Sequence, residues 1–313
     1  MDERLPPRAL ITGAAGVIGR QLTRLLPERG VEVLTIDRER MPPGFAGLYR
    51  HVQDYLSTMD LGCVSDVDPE HIFHLAASFE RTTESPEYWD VGWRDDVTAS
   101  HRVISAAVEC PSLAVFVFAS SYLIYDEREY LCQEPPAEAV PIVETTTVDP
   151  RNLCGAGKYY TERELRYAVT VRRPDLRVCN ARIYRVYGQG SRDVVSRWVR
   201  ALLAGHPIEV FNAANIFDYV YAGDVAEALA RLAGTSAASG VFNVATGQGT
   251  RIRDVVAALG AAGLETEGLV TEQPDEAPYE ASVADVSRLR DVLGWVPPTD
   301  VRAGIAHLIE YEE

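Results

Sequence analysis

Positive charge is what this sequence lacks. Thirty lysines and arginines stand against 46 aspartates and glutamates, giving a net charge of −16 and a pI near 4.9. A surface of that sign repels polyanions, which excludes general nucleic-acid and anionic-membrane binders. A small anion is not excluded, since a few local arginines can hold one. Cysteine is sparse: Cys63, Cys110, Cys132, Cys154 and Cys179 are odd in number, widely spaced and without a C-x-x-C pair. That argues against both a disulfide framework and a zinc site. The six histidines are scattered; His71 and His74 fall on opposite faces of one strand, and no metal is expected. No apolar run approaches the ~20 residues of a membrane span. The opening MDERLPPR carries no apolar leader segment, so a reduced cytoplasm is the expected setting. Internal repeats and low-complexity segments are missing as well.

What is present is an alternation of strands and helices in a chain of 313 residues, 47% of them hydrophobic. Residues 8–12 read as a strand, a helix follows from about Gly16, and Gly30 ends it before a second strand at 31–36. HIFHLAA (71–77) and LAVFVFASS (113–121) read as buried strands, with helical character over 97–110 between them. Residues 122–150, rich in Pro and Glu, read as a long loop. A helix is expected over 152–171, then a strand in DLRVCNARIY. The remainder is mixed, with helices near 192–204, 224–233, 252–260 and 299–311 and short strands near 208–211 and 216–221. The pattern implies an α/β fold, a Rossmann-type doubly wound parallel sheet with a smaller mixed α/β C-terminal region. The expected division is 1–180, with 208–246 returning to it, and 181–313.

The strand at 8–12 runs into TGAAGVIG, which spaces Gly13, Gly16 and Gly19 as G-x-x-G-x-x-G. Strand, glycine turn and helix start together form a dinucleotide cradle. The first glycine permits the turn, and the second lets the backbone of Ala15, Gly16, Val17 and Ile18 approach a pyrophosphate. The third permits close packing, and the helix N-terminus supplies partial positive charge. Asp37 ends the second strand, where a carboxylate accepts from an adenosine ribose and favours NAD over its 2′-phosphorylated form. Arg38, next to it, is placed to hold such a phosphate instead.

Taken with HLAA (74–77), FASSYLIYD (118–126), RIYRVYG (182–188), FDYVYAGDVAEAL (217–229), FNVATG (242–247) and LGWVP (293–297), the chain resembles the extended short-chain dehydrogenase/reductases. These are the NAD-dependent sugar epimerases and dehydratases. The resemblance implies NAD as cofactor, a sugar-type substrate bound mainly by residues 181–313, and a homodimer formed through the helices after the fourth and fifth strands. It implies contacts to the cofactor from Asp54, Tyr55, Leu75, Ala76, Ala77 and Tyr184. Ser121 matches the catalytic Ser/Thr, and it also lies beyond the carboxyl end of a buried strand, where open α/β sheets place ligands. Lys158 matches the lysine that binds the nicotinamide ribose.

The tyrosine that the family sets four residues before this lysine is missing; Cys154 stands there. A thiol is more acidic than a phenol and a neighbouring lysine lowers its pKa further, but its reach is shorter by an aromatic ring. Cys154 is thus either the proton carrier or an inert small residue, with Tyr122 and Tyr159 as substitutes. An arginine of the family is replaced by Phe217, and QPDEAPYEASVADVSR (273–288) offers no cation before Arg288. Arg185 replaces an asparagine, which suggests an anionic substrate group there, with Arg81 and Arg192 assisting. Asp96 replaces another asparagine, in a segment (78–96) longer than the family's. The expected activity is transient oxidation of a hydroxyl on a sugar or nucleotide-sugar. The alternatives are a net NAD-dependent oxidoreductase and an NAD-binding protein without activity.

Overall fold

The computed structural model describes residues 8–45, 50–78 and 86–312. In chain order the elements are β1 (Arg8–Thr12), α1 (Val17–Glu28), β2 (Glu32–Asp37), β3 (Arg50–Gln53), α2 (Gly62–Val67), β4 (His71–His74), α3 (Pro86–Gly92) and α4 (Ala99–Ala107). Then come β5 (Val115–Ser121), β6 (Leu131–Cys132), β7 (Val140–Ile142), α5 (Leu153–Val171), β8 (Arg177–Ile183), β9 (Arg185–Tyr187), α6 (Val194–Leu203) and β10 (Ile208–Val210). The chain continues through β11 (Ile216–Phe217), β12 (Tyr219–Tyr221), α7 (Ala222–Gly234), β13 (Gly240–Val244), β14 (Thr250–Arg251) and α8 (Ile252–Ala261). It closes with β15 (Val270–Glu272), β16 (Tyr279–Ala284), α9 (Ser287–Leu293) and α10 (Val301–Glu312).

Two compact units share these elements. The first takes the described residues up to Tyr125, then Val148–Arg182 and Ala226–Phe242. Its sheet has the order β13-β8-β5-β4-β1-β2-β3, and β1, β2, β3, β4 and β5 pair in parallel. β5 lies inside the sheet, between β8 and β4, and buries Val115 through Ser120 without interruption, as a strand covered on both faces must. The core on one side joins Leu10, Ile36, Ile72, Phe116 and Phe118 to Val103 and Leu165. α1 buries Leu22 and Leu26, and Gly30 at φ +79° turns the chain from α1 into β2. This is the doubly wound sheet that the sequence implies.

The second unit takes Asp126–Thr147, Ile183–Val225 and the residues from Asn243 on. It holds a sheet of order β14-β11-β16-β6, with β7 also pairing β16, and two small two-stranded sheets, β10-β15 and β12-β9. Its core gathers Tyr187, Trp198, Phe217 and Tyr219 with Val255, Leu259 and Ile305. The stretch 122–150 is not one loop, because it carries β6 and β7. Strands of two and three residues are too short to show a period in the sequence, and both exist because β16 supplies the pairing edge. No helix among the described residues is long and apolar enough to cross a membrane.

Candidate active site

The glycine turn in the first unit leaves no room for side chains. A Cβ on Gly13, which has φ +73°, would stand 2.6 Å from the Ala76 nitrogen, and one on Gly19 would stand 2.2 Å from the Gly13 carbonyl. Gly13 N donates to the Ile36 carbonyl at 2.9 Å, tying the turn to β2. Gly16 caps α1 with no side-chain hydrogen bond, and the first turn carries no acidic residue. The backbone N–H groups of that first helical turn thus have no acidic side chain of their own helix beside them, which leaves them open to an anion. Ala15 is buried, Val17 and Ile18 are half-buried and Gly16 is exposed.

Asp37 Oδ2 accepts from Ala15 N at 2.8 Å, so the acid at the end of β2 is fixed against the glycine turn. Arg38 turns to Asp95, at 2.9 Å, which already matches its charge. Beyond β3, Asp54 N donates to the Asp37 carbonyl and Asp54 Oδ1 accepts from Tyr55 N, while the Tyr55 side chain is exposed. Leu75 N and Ala76 N reach back to Thr12, which brings the segment after β4 alongside Gly13; Ala77 is exposed.

α5 delivers Cys154 and Lys158 from one face, since residues four apart stack on a helix. Asn152 caps the helix by accepting from Gly155 N at 2.8 Å. Gly155 comes so close to the chain after β5 that a Cβ would lie 2.6 Å from the Leu123 carbonyl. That approach seats α5 beside Ser121, whose Oγ accepts from Leu123 N at 3.2 Å. Tyr122 is buried in the turn that follows. Lys158 is buried, donates to the Ala119 carbonyl at 2.6 Å and lies 4.8 Å from the centre of the Phe118 ring. Burial lowers its pKa, and the negative charge of Cys154 and Asp96 opposes that shift.

Cys154 is 4% exposed and its thiol points to the Ser78 carbonyl at 3.8 Å. The same carbonyl accepts from the Tyr88 hydroxyl at 3.0 Å, and that hydroxyl also donates to Asp96 Oδ2 at 3.1 Å. Burial first, then Cys154 and Asp96, push the Tyr88 pKa up, and Cys154 is also one of its hydrogen-bond partners. Asp96 Oδ1 accepts from Ser78 N at 2.5 Å. Burial pushes the Asp96 pKa up to about 6, against the Lys158 charge and the hydrogen bonds from Ser78 and Tyr88. Asp96 belongs to a widened π-turn, Trp93–Thr98, that joins α3 to α4. Its Cβ would touch a Cβ on Gly157, which shows how closely α5 packs on that turn. His74 closes the group, bonded to Thr12 and Ser100, and burial drops its pKa to about 3.

The first unit thus gathers Ser121, Cys154, Lys158 and Asp96 next to its glycine turn. It adds Tyr88, which the sequence reading missed. Tyr122, buried after β5, and Tyr159, half-buried on α5, neighbour the same elements. Arg81 lies outside the described residues. Tyr184, Arg185 and Arg192 belong to the second unit. Tyr184 is buried and its N donates to the Val244 carbonyl at 3.2 Å. Arg185 pairs with Glu280 at 3.1 Å and stacks 3.6 Å above the Phe217 ring, so it and Phe217 form one contact. Arg192 is exposed. Asp218, the residue just before β12, is enclosed by donors from Thr246, Gly247 and Ala284, and burial still raises its pKa to about 6.

Residues 9–245 match the sequence profile of the NAD dependent epimerase/dehydratase family. The chain belongs to that family. A UDP-glucose 4-epimerase of Mycolicibacterium smegmatis is 30% identical, over 97% of this chain and 98% of the relative. A solved structure of MoeE5 in complex with UDP-glucose and NAD aligns at 28% identity with a TM-score of 0.82, over 97% of this chain and 98% of that one. A second MoeE5 structure, with UDP-glucuronic acid and NAD, aligns at 29% identity and TM-score 0.80 over the same shares. Membership makes this chain an NAD-dependent enzyme of the epimerase or dehydratase kind. Its own residues fit that cofactor: a turn that excludes any Cβ, an uncapped helix start, and an acid at the end of β2.

Proposed function

We propose that the enzyme epimerises a nucleoside-diphosphate sugar by transient oxidation of a ring hydroxyl, and that Tyr88 and Asp96 do the proton work of the missing tyrosine. The observation that carries this reading is the hydrogen-bonded set of Tyr88, Asp96 and Cys154 beside the buried Lys158. NAD, when bound, takes up a hydride and returns it. Ser121 donates a hydrogen bond to the substrate oxygen. The substrate O–H bond breaks as its proton passes to the Tyr88 oxygen and the Tyr88 proton passes to Asp96 Oδ2. With a pKa of about 6, Asp96 is largely ionised at neutral pH and can take that proton, then give it back. Lys158 holds positive charge next to the oxygen that becomes negative.

The relatives named above act on or bind UDP-sugars, which makes a UDP-hexose the first substrate to test. The second unit matches Arg185 against Glu280 and Phe217, and we assign that contact to the sugar-side surface. A cytoplasmic setting fits five cysteines of which none is in a disulfide.

Proton NMR of anomeric signals tests the reaction. UDP-glucose incubated with the enzyme and NAD should convert to a second UDP-hexose while the near-ultraviolet absorbance of reduced nicotinamide stays flat. Stoichiometric growth of that absorbance would make the enzyme a net dehydrogenase. Cofactor binding without turnover of any UDP-hexose would favour a second reading, in which the burial of Cys154 marks a protein that keeps NAD but has lost the chemistry.

A further inference from the structure

A cavity of about 370 Å³ opens in the first unit on the flank of α5, between that helix, β8 and the start of β13. No residue of the glycine turn lines it, nor do Ser121, Cys154 or Lys158. Its size suits a small organic molecule. Val169, Leu176, Val178 and Val241 make apolar walls.

The polar groups in it are of two kinds. At the floor, Glu162 and Arg182 form a buried ion pair, at 2.8 Å and 3.1 Å, and Glu162 also accepts from Ser120. Their charges cancel. Asn180 is 7% exposed, and its Oδ1 has no hydrogen-bond partner among the described residues. A buried acceptor left unpaired is costly, so this oxygen calls for a donor from outside the chain. At the rim, Arg163 and Arg166 are exposed, and neither forms a side-chain hydrogen bond or ion pair among the described residues. Two unmatched positive charges on one rim are notable in a chain of net charge −16.

We propose that this cavity is a second binding site, separate from the NAD site, for a small organophosphate. A phosphate dianion matches the two charges of Arg163 and Arg166, and guanidinium groups bind phosphate with paired, charge-assisted bonds. The organic part lies against the valine and leucine walls, and an N–H or O–H on it donates to Asn180 Oδ1.

Isothermal titration of the full chain, saturated with NAD, tests the site. The probes are inorganic phosphate, phenyl phosphate and para-aminophenyl phosphate. The phenyl ring should tighten binding roughly tenfold or more over inorganic phosphate through apolar burial. The amino group should tighten it further by donating to Asn180. Arg163→Ala/Arg166→Ala, both on exposed positions, should weaken the aryl phosphates about tenfold or more while leaving NAD binding and the basal rate unchanged. No saturable binding, equal affinity in the double variant, or displacement of the aryl phosphate by NAD would each overturn the proposal.

Discussion

The Tyr88 hydroxyl reaches Asp96 Oδ2 across 3.1 Å although eight residues separate the two. A regular α-helix rises ~12 Å over that interval, too far for the two side chains to meet directly. Asp96 stands inside the widened turn Trp93–Thr98, where the backbone departs from regular α-helix. The contact defines the first prediction.

If Tyr88 exchanges the proton, Tyr88→Phe should lower kcat by roughly 10²–10⁴ with little change in KM, and Cys154→Ala should leave the rate nearly intact. Steady-state kinetics with a UDP-hexose separates the two. The reverse pattern would make the thiol the base and Tyr88 its support.

Asp96 also ties stability to pH. Its folded pKa of about 6 lies above the ordinary value of 3.8, so the fold favours the protonated acid. The stability it contributes is complete below about pH 3.8 and is lost as pH rises through about 6. Lys158, Tyr88 and the Asp95 carboxylate are the charged or titratable groups acting on it. Asp218 adds a contribution of the same sign, while His71 and His74, both held at about 3, act the other way and lose stability as pH falls below 6.5. Subtracting the Asp96→Asn curve from the wild-type curve isolates one group. Thermal melts from pH 4 to 7 should show wild type losing ground to the variant as pH rises. A difference that is flat with pH would refute the assignment.

Glu162 and Arg182 are each about 5% exposed. Glu162→Gln or Arg182→Met alone should cost about 3–5 kcal/mol in urea denaturation, because the remaining charge stays buried without its partner. The double variant Glu162→Leu/Arg182→Met should recover much of that loss. Equal losses in single and double variants would show that packing, not charge, sets the effect.

Gly19→Ala should destabilise by about 1–3 kcal/mol and weaken NAD binding sharply, because the new methyl meets backbone at Gly13 and Ala14 rather than a movable side chain. Differential scanning fluorimetry with and without NAD reads both effects. A variant that still gains its full ligand-induced rise in Tm would show that the turn can yield.

Much of the nucleotide side was legible in the sequence because it is local. A strand, three glycines and an acid lie within thirty residues, and the backbone between Gly13 and Asp37 closes on itself through Ala15. The placement of Ser121 and Lys158 was legible for a related reason, one at a strand end and one near a helix start. Tyr88 was not, because nothing in its neighbourhood signals a contact with a residue 66 positions later; only the packing of α5 on the π-turn creates it. That Arg185 pairs with Glu280, 95 residues on, could not be read from the sequence, because only the folded chain brings the two together. The strands β6 and β7 were hidden likewise, for their partner β16 comes some 140 residues later.

The parallel sheet of the first unit ends on β13, so its last strand is drawn from residues 240–244. During synthesis β8 must wait with an open edge until about sixty further residues have left the ribosome. A nascent chain in that interval presents a bare strand to any neighbour able to pair with it. Expression yield should consequently respond to chaperone supply and to translation speed over 184–240 more than to changes in the finished fold.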